Sequence, residues 1–147
     1  MRQWKAQKPM KKNKDKITNS TIPQLQFAVL CDGVTALDQR GKISFVGVFD
    51  KFLRPGIIPH FSLVIGWKNG RGMFNQRVKF LDPDLKQILE TPDMPIELKH
   101  ETDGTRSILN IDGMNFTSPG VYWIEILLEK ETVLSIPFAV EKSPTIS

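Results

Sequence analysis

A single cysteine, Cys31, and two histidines, His60 and His100, are all the thiol and imidazole side chains that 147 residues offer for redox, metal and acid-base chemistry. One cysteine excludes an intramolecular disulfide and leaves a cysteine-based zinc site without a ligand set. A reducing compartment suits such a chain, so a cytoplasmic protein is expected. Long apolar runs are also missing. The most apolar windows, 61–67 and 121–128, fall far short of the roughly 20 residues of a transmembrane helix. The N-terminal lysines have no apolar stretch behind them, which argues against a secretory signal. No serine sits in a Gly-x-Ser-x-Gly pattern and no Gly-Lys-Ser/Thr phosphate loop occurs. Gly70-Arg71-Gly72 begins like a dinucleotide fingerprint, but Asn75 stands where the third glycine belongs and no helix follows.

What is present is ordinary for one folded domain: 40% hydrophobic, 24% charged and 9% aromatic residues. A chain of this length buries about 68–70% of its unfolded surface and holds a core without staples. The net charge of +4 is unevenly placed. Residues 1–22 hold seven basic side chains against Asp15 alone, a balance of +6, while the remaining thirteen Lys and Arg face fifteen Asp and Glu, a balance of −2. The arm has few large apolar residues and no periodicity, so it is expected to be a disordered basic tail. Residues 23–142 are expected to form the folded domain and 143–147 a short C-terminal tail.

From Pro23 onward the apolar period is two, the period of a pleated strand. Leu25, Phe27, Val29 and Cys31 share one face of a first strand, which makes Cys31 a small buried apolar side chain. A second strand over 42–53 places Ile43, Phe45 and Phe49 on one side and Val46 and Val48 on the other, with both faces expected to be covered. Phe61, Leu63, Ile65 and Trp67 alternate next, and Asn69-Gly70 predicts a type I′ hairpin turn into a returning strand with Phe74, Val78 and Phe80 inward. Asp82-Pro83-Asp84 ends that strand. A short strand at 87–90 and another through Ile96 and Leu98 follow; Asp103-Gly104 then turns the chain into 105–111, and Asp112-Gly113 marks a bulge or a second turn. Strands at 121–129 and 132–141 complete the set, the last with Leu134, Ile136, Phe138 and Val140 inward and Pro137 demanding an edge or a bulge. No segment has a sustained helical stripe. The prediction is an all-β, two-layer antiparallel β-sandwich of immunoglobulin-like or related topology.

Three stretches, Ala28-Val29-Leu30-Cys31-Asp32, Gly41-Lys42-Ile43-Ser44-Phe45-Val46-Gly47-Val48-Phe49-Asp50 and Pro119-Gly120-Val121-Tyr122-Trp123, together resemble an uncharacterised bacterial family of small β-sandwich proteins. The resemblance spans about residues 27–141 and implies a fold and no assigned activity. It carries no catalytic residue to this chain.

Candidate chemistry is thin. His60 and His100 fall in or beside loops and are expected to be solvent-exposed or capping residues. Asp82, Asp84, Asp103 and Asp112 fall in turns, where they either bond local backbone, the reading favoured here, or gather at one end of the sandwich around Ca²⁺. No catalytic residue, metal, cofactor or small-molecule substrate is inferred. The run 121–128 is apolar on both sides save Glu125, so it is either covered, by a loop such as 85–95, or forms an interface. Trp123, Glu125, Leu127 and Pro137 are the candidate partner-binding residues, for a protein partner or a homo-oligomer. Lys5, Lys8, Lys11, Lys12, Lys14 and Lys16 are the candidates for a polyanion, either nucleic acid or anionic membrane. The expected role is a non-enzymatic binding or assembly module. The alternatives are a polyanion-associated accessory protein and, further off, a small hydrolase assembled from Asp and His across loops.

Overall fold

The computed structural model of the chain describes residues 20–36 and 41–142; the predicted tails lie outside them, apart from Ser20, Thr21 and Ile22. Ten strands and no helix occur among the described residues: β1 (Gln24–Ala36), β2 (Ile43–Phe49), β3 (Lys51–Phe52), β4 (Gly56–Lys68), β5 (Gly72–Leu81), β6 (Gln87–Glu90), β7 (Met94–Leu98), β8 (Thr105–Phe116), β9 (Gly120–Leu128) and β10 (Glu131–Val140). One sheet has the order β2-β1-β4-β8. The other runs β3-β10-β9-β5, with β6 and β7 sharing the far side of β5. Both sheets are antiparallel except where the two residues of β3 run parallel to Ala139 and Val140. Thr21 is bridged to Arg71 through both backbone groups, so the chain is fixed before Pro23.

Strand alternation places the main core as expected. Phe61, Leu63, Ile65 and Trp67 of β4 face Tyr122, Ile124, Ile126 and Leu128 of β9 across the sandwich, joined by Val78, Phe80 and Phe138. Phe52 of the short β3 enters this core and touches four rings, Phe49, Phe61, Phe116 and Phe138, at centroid separations of 4.9, 5.3, 4.8 and 5.7 Å. Position 76 lies on the inward phase of β5 and carries a glutamine. Its Oε1 accepts the Trp67 indole N–H at 2.6 Å, and its buried Nε2 has no partner among the described residues.

Three local expectations are corrected. Asn69-Gly70 makes no hairpin, because β4 and β5 belong to different sheets. Asn69 takes a left-handed φ of 62° but Gly70 does not follow it, so the two positive φ values of a type I′ turn are not formed and the chain passes between layers. The two-residue turn with both φ values positive is instead Glu129-Lys130, at 50° and 71°, closing β9 onto β10 with neither glycine nor asparagine. Glu129 is held there by its carboxylate, which accepts the Asn75 N–H at 2.6 Å, and by its own N–H on the Asn75 carbonyl.

The second correction concerns β1. A register shift between Leu25 and Phe27 flips the phase, so Leu25, Ala28 and Leu30 face the other sheet and Phe27, Val29 and Cys31 the opposite side. Cys31 is buried as expected, at 0% exposure, but not in the main core. The third concerns the strand expected over 42–53. It breaks at Asp50, its end crosses to the second sheet as β3, and Val46 and Val48 are exposed.

Part of β2 covers Cys31 and its neighbours. In register Phe45 lies opposite Val34, about 23 Å along a straight strand from Phe27. Yet the rings of Phe27 and Phe45 are 5.7 Å apart, and Arg106 of β8 donates to the carbonyl of Gly41. The β1-β2 hairpin therefore bends at Asp32-Gly33 and Gly47 and folds back over the outer face of its own sheet. Ser62, Val64 and Gly66 are thereby buried on a face that a two-layer sandwich would leave wet. Gly66 is required there, since a Cβ would lie 2.2 Å from the Phe27 ring.

Lys130→Gly relieves a left-handed non-glycine residue and is expected to stabilise the protein by roughly 0.5–1 kcal/mol in urea unfolding. Burial pushes the Cys31 thiol above its ordinary pKa. A raised value in the folded state means that its contribution is full below the unfolded pKa and is lost as pH rises through the folded one. Two outcomes are expected: iodoacetamide alkylates native Cys31 at least about 100-fold more slowly than the unfolded thiol, and the loss of stability above about pH 8.5 is smaller in Cys31→Ala than in the parent.

Candidate functional site

Alternation along β9 and β10 fixes where the expected interface residues stand. Trp123 lies opposite Pro137 on β10 and Leu81 on β5; Glu125 lies opposite Ser135 and Lys79; Leu127 lies opposite Thr132 and Arg77. All three β9 residues point away from the core. The covering loop does not exist, because 85–98 extends the sheet as β6 and β7. Trp123 and Glu125 are half-buried, Leu127 is 7% exposed, and Pro137 is exposed. The apolar end of this face, Trp123 with Leu81, Val121, Pro137 and Ala139, is small, and its other end is charged. Arg77 there is held by Asp93 and Glu90 at 2.7 and 3.1 Å.

Pro137 faces Trp123 without donating to the ladder, and β10 carries a register shift between Thr132 and Leu134. Of the edge or bulge expected at Pro137 the edge is realised, since β3 pairs only with Ala139 and Val140, while the bulge of this strand lies away from the proline. Proline and bulge together blunt the open side of β10, since a proline nitrogen offers no hydrogen to an incoming strand. The far edge of the same sheet is divided between the short β6 and β7, and β7 contains Pro95. The β2 edge bends at Gly47, whose φ is 67°. Strand β8 differs. It runs from Thr105 to Phe116 without proline, pairs only with β4, and presents Ile108 at 42% exposure.

The outer face of β4 and β8 brings together two residues that the sequence leaves 52 positions apart. His60 Nδ1 and Asp112 Oδ1 are 2.6 Å apart, with side-chain exposures of 42% and 75%. Ser62 is the next residue on that face, but its hydroxyl donates to Asn110 Oδ1 at 2.8 Å and is sealed from solvent. A serine in that position has neither a free base nor a path to substrate. Pro59 and Gly113 face each other unbridged beside the pair, and the strands change phase there, so Phe61 and Ile58 both reach the core.

A cleft of about 470 Å³ opens where β2 gives way to β3. Its floor is Phe49, Phe52 and Ile58, and its walls carry Asp32, Lys51, Arg54 and His60. Lys51 is engaged by Glu141 at 3.0 Å, a bond that holds its ammonium pKa up. Asp32 and Arg54 have no ion pair or side-chain hydrogen bond among the described residues. Sequence reading missed this cleft; the only signal was the uninterrupted cluster Phe49-Asp50-Lys51-Phe52-Leu53-Arg54, apolar and charged by turns with no strand phase.

Of the four aspartates expected in turns, Asp112 stands instead within β8, where it bonds His60, and Asp82 is the one whose carboxylate caps backbone among the described residues. Asp82 Oδ1 accepts the N–H groups of Asp84 and Lys86, both at 2.9 Å, and the Asp103 N–H donates to the His100 carbonyl. No group of His, Cys, Asp or Glu side chains placed to hold a metal occurs among the described residues. The six tail lysines lie outside those residues. No helix of the described residues is long and apolar enough to cross a membrane.

No curated protein matches the chain. The stretch from β1 to the residue after β10, 26–141, matches a family of unknown function, DUF6941, and the chain belongs to that family.

Proposed function

We propose that the domain is a non-enzymatic, cytoplasmic assembly module that docks a second copy of itself along the open edge of β8. One observation carries this: the first eight residues of β8, 105–112, form the longest edge segment among the described residues that neither proline nor a left-handed residue interrupts, Gly113 at φ 69° lying just beyond it, and its sequence complements itself. Antiparallel pairing about a two-fold axis at Leu109 sets Arg106 of one copy opposite Asp112 of the other. Ser107 then meets Ile111, and Ile108 meets Asn110. Both charged pairs fall on the outer face, where Asp112 has its second carboxylate oxygen uncommitted and Arg106 spends one donor on Gly41. Opposite charges directly across an antiparallel pair contribute roughly 0.2–1 kcal/mol each, and symmetry supplies two. The pairing satisfies the row of backbone groups that an isolated edge leaves to solvent.

Sedimentation of the full-length chain is expected to show a monomer–dimer equilibrium in the micromolar range. Arg106→Asp and Asp112→Arg each place like charges across the axis twice and are expected to weaken the dimer by about tenfold or more. The double exchange restores opposite pairs and recovers the dimer, although it cannot restore the Arg106–Gly41 or His60–Asp112 bonds. A monomer at 100 µM, or a dimer indifferent to all three variants, overturns the proposal.

A further inference from the structure

The cleft at the β2–β3 crossover combines an apolar floor with two unpaired charges of opposite sign, and nothing in the packing of the domain uses that combination. Asp32 stands at the bend of β1, with its carboxylate over Gly47. A Cβ at position 47 would lie 2.2 Å from Asp32 Oδ2, so the space that a side chain would fill is occupied by the carboxylate. Gly47 holds a φ of 67°, a conformation that L side chains adopt rarely, and this backbone is what lets the carboxylate settle there. Arg54 lies on the other arm of the crossover, beyond Phe52, and is exposed. Lys51, the other cation of the cleft, is satisfied by Glu141, and His60 by Asp112, so Arg54 is the cation left to meet a ligand. The volume lies in the range of roughly 300–1,000 Å³ usual for small-molecule sites, which are mostly apolar with a few fixed polar groups.

We infer that this cleft binds a small amphipathic zwitterion, a free α-amino acid with an apolar side chain, its ammonium on Asp32, its carboxylate on Arg54 and its side chain on Phe49, Phe52 and Ile58. The two charges make the discrimination, because an apolar floor alone accepts any hydrocarbon of the right size. Each pair is solvent-exposed, so each adds a modest factor. A compact ligand on an open cleft has a dissociation constant on the order of 1 mM. This site shares no residue with the β8 pairing and stands or falls separately from it.

The test is a titration of the full-length, isotopically labelled chain with L-phenylalanine, N-acetyl-L-phenylalanine and L-phenylalaninamide, followed by two-dimensional amide NMR. L-Phenylalanine is expected to move the resonances of Val48, Leu53 and Arg54. The acetylated compound, which lacks the ammonium, and the amide, which lacks the carboxylate, are each expected to bind about fivefold more weakly. Asp32→Asn is nearly isosteric and should remove the disadvantage of the acetylated compound while keeping that of the amide. Arg54→Gln should do the reverse, and unchanged spectra elsewhere show that both variants keep the fold. Equal binding of the three compounds to the parent protein, shifts confined to another surface, or no shifts at 10 mM ligand overturns the inference.

Discussion

The insertion of Phe52 between the sheets is the contact on which the rest of the structure depends. The chain leaves the first sheet at Phe49 and joins the second at Lys51, so one residue, Asp50, makes the crossing. So short a passage is tolerable because Phe52 drops at once into a nest of four aromatic rings contributed by both sheets. Each well-placed ring pair is worth about 0.5–1.5 kcal/mol beyond the area it buries, and Phe52 makes four of them. The two hydrogen-bonded residues of β3 could not hold the crossover alone; the ring does. The same ring is the floor of the cleft, so closing this end of the sandwich and forming a recess on it are one event.

The first sheet is unusual in having both faces dry over part of its area. Its inner face meets the second sheet, and its outer face at β1 and β4 is sealed by the folded-back hairpin, with Phe45 on Phe27. That cover extends across Cys31 and Val64 but leaves Ile108 exposed on β8. The second sheet has the opposite distribution: its edges are blunted or subdivided, and its outer face is open but mixed in charge. Where a face is covered the edge stays free, and where the edges are guarded the face is only partly apolar.

Two-residue alternation made the inward residues of β5, β9 and the stretches 61–67 of β4 and 134–140 of β10 legible from sequence, because there the phase runs unbroken through the residues that face the other sheet. It failed wherever one residue changed the phase. At Leu25–Phe27 a single shift exchanged the two faces of β1, and hydrophobicity could not reveal it because the residues on both sides are apolar. At Asn69-Gly70 the dipeptide permits a left-handed residue, but a local preference cannot specify whether the strands it joins share a sheet. Glu129-Lys130 forms the tight turn against its own preferences since the β9–β10 pairing and the Glu129–Asn75 bonds impose it. Of the residues expected at an interface, Trp123 and Pro137 stand opposite each other in the β9–β10 ladder, a pairing that alternation alone does not give. The cleft and the His60–Asp112 pair were out of reach, being made by residues distant along the chain whose approach is a property of the crossover and the β4–β8 register.

The candidate sites coincide with the positions where the sandwich departs from regular pairing, and the coincidence has a mechanical origin. A regular antiparallel ladder consumes its backbone groups in pairs and divides its side chains cleanly between core and solvent, leaving nothing concave. Pro59 cannot donate, so β4 and β8 part for one pair; the phase change brings Ile58 round to the core beside Phe61 and leaves His60 turned out onto Asp112. Gly47 breaks the β1-β2 ladder in the same way, and the gap receives the Asp32 carboxylate. Each break costs the sandwich hydrogen bonds or backbone strain and recovers little locally, since His60, Asp112 and Asp32 all remain exposed. Sequences that specify one fold tend to keep local and global preferences in agreement, and the departures that persist are concentrated where a surface is used. Two such departures border one recess, on either side of the ring that closes the domain, so the concave surface of this sandwich lies at the crossover end and not on the broad outer face of β9.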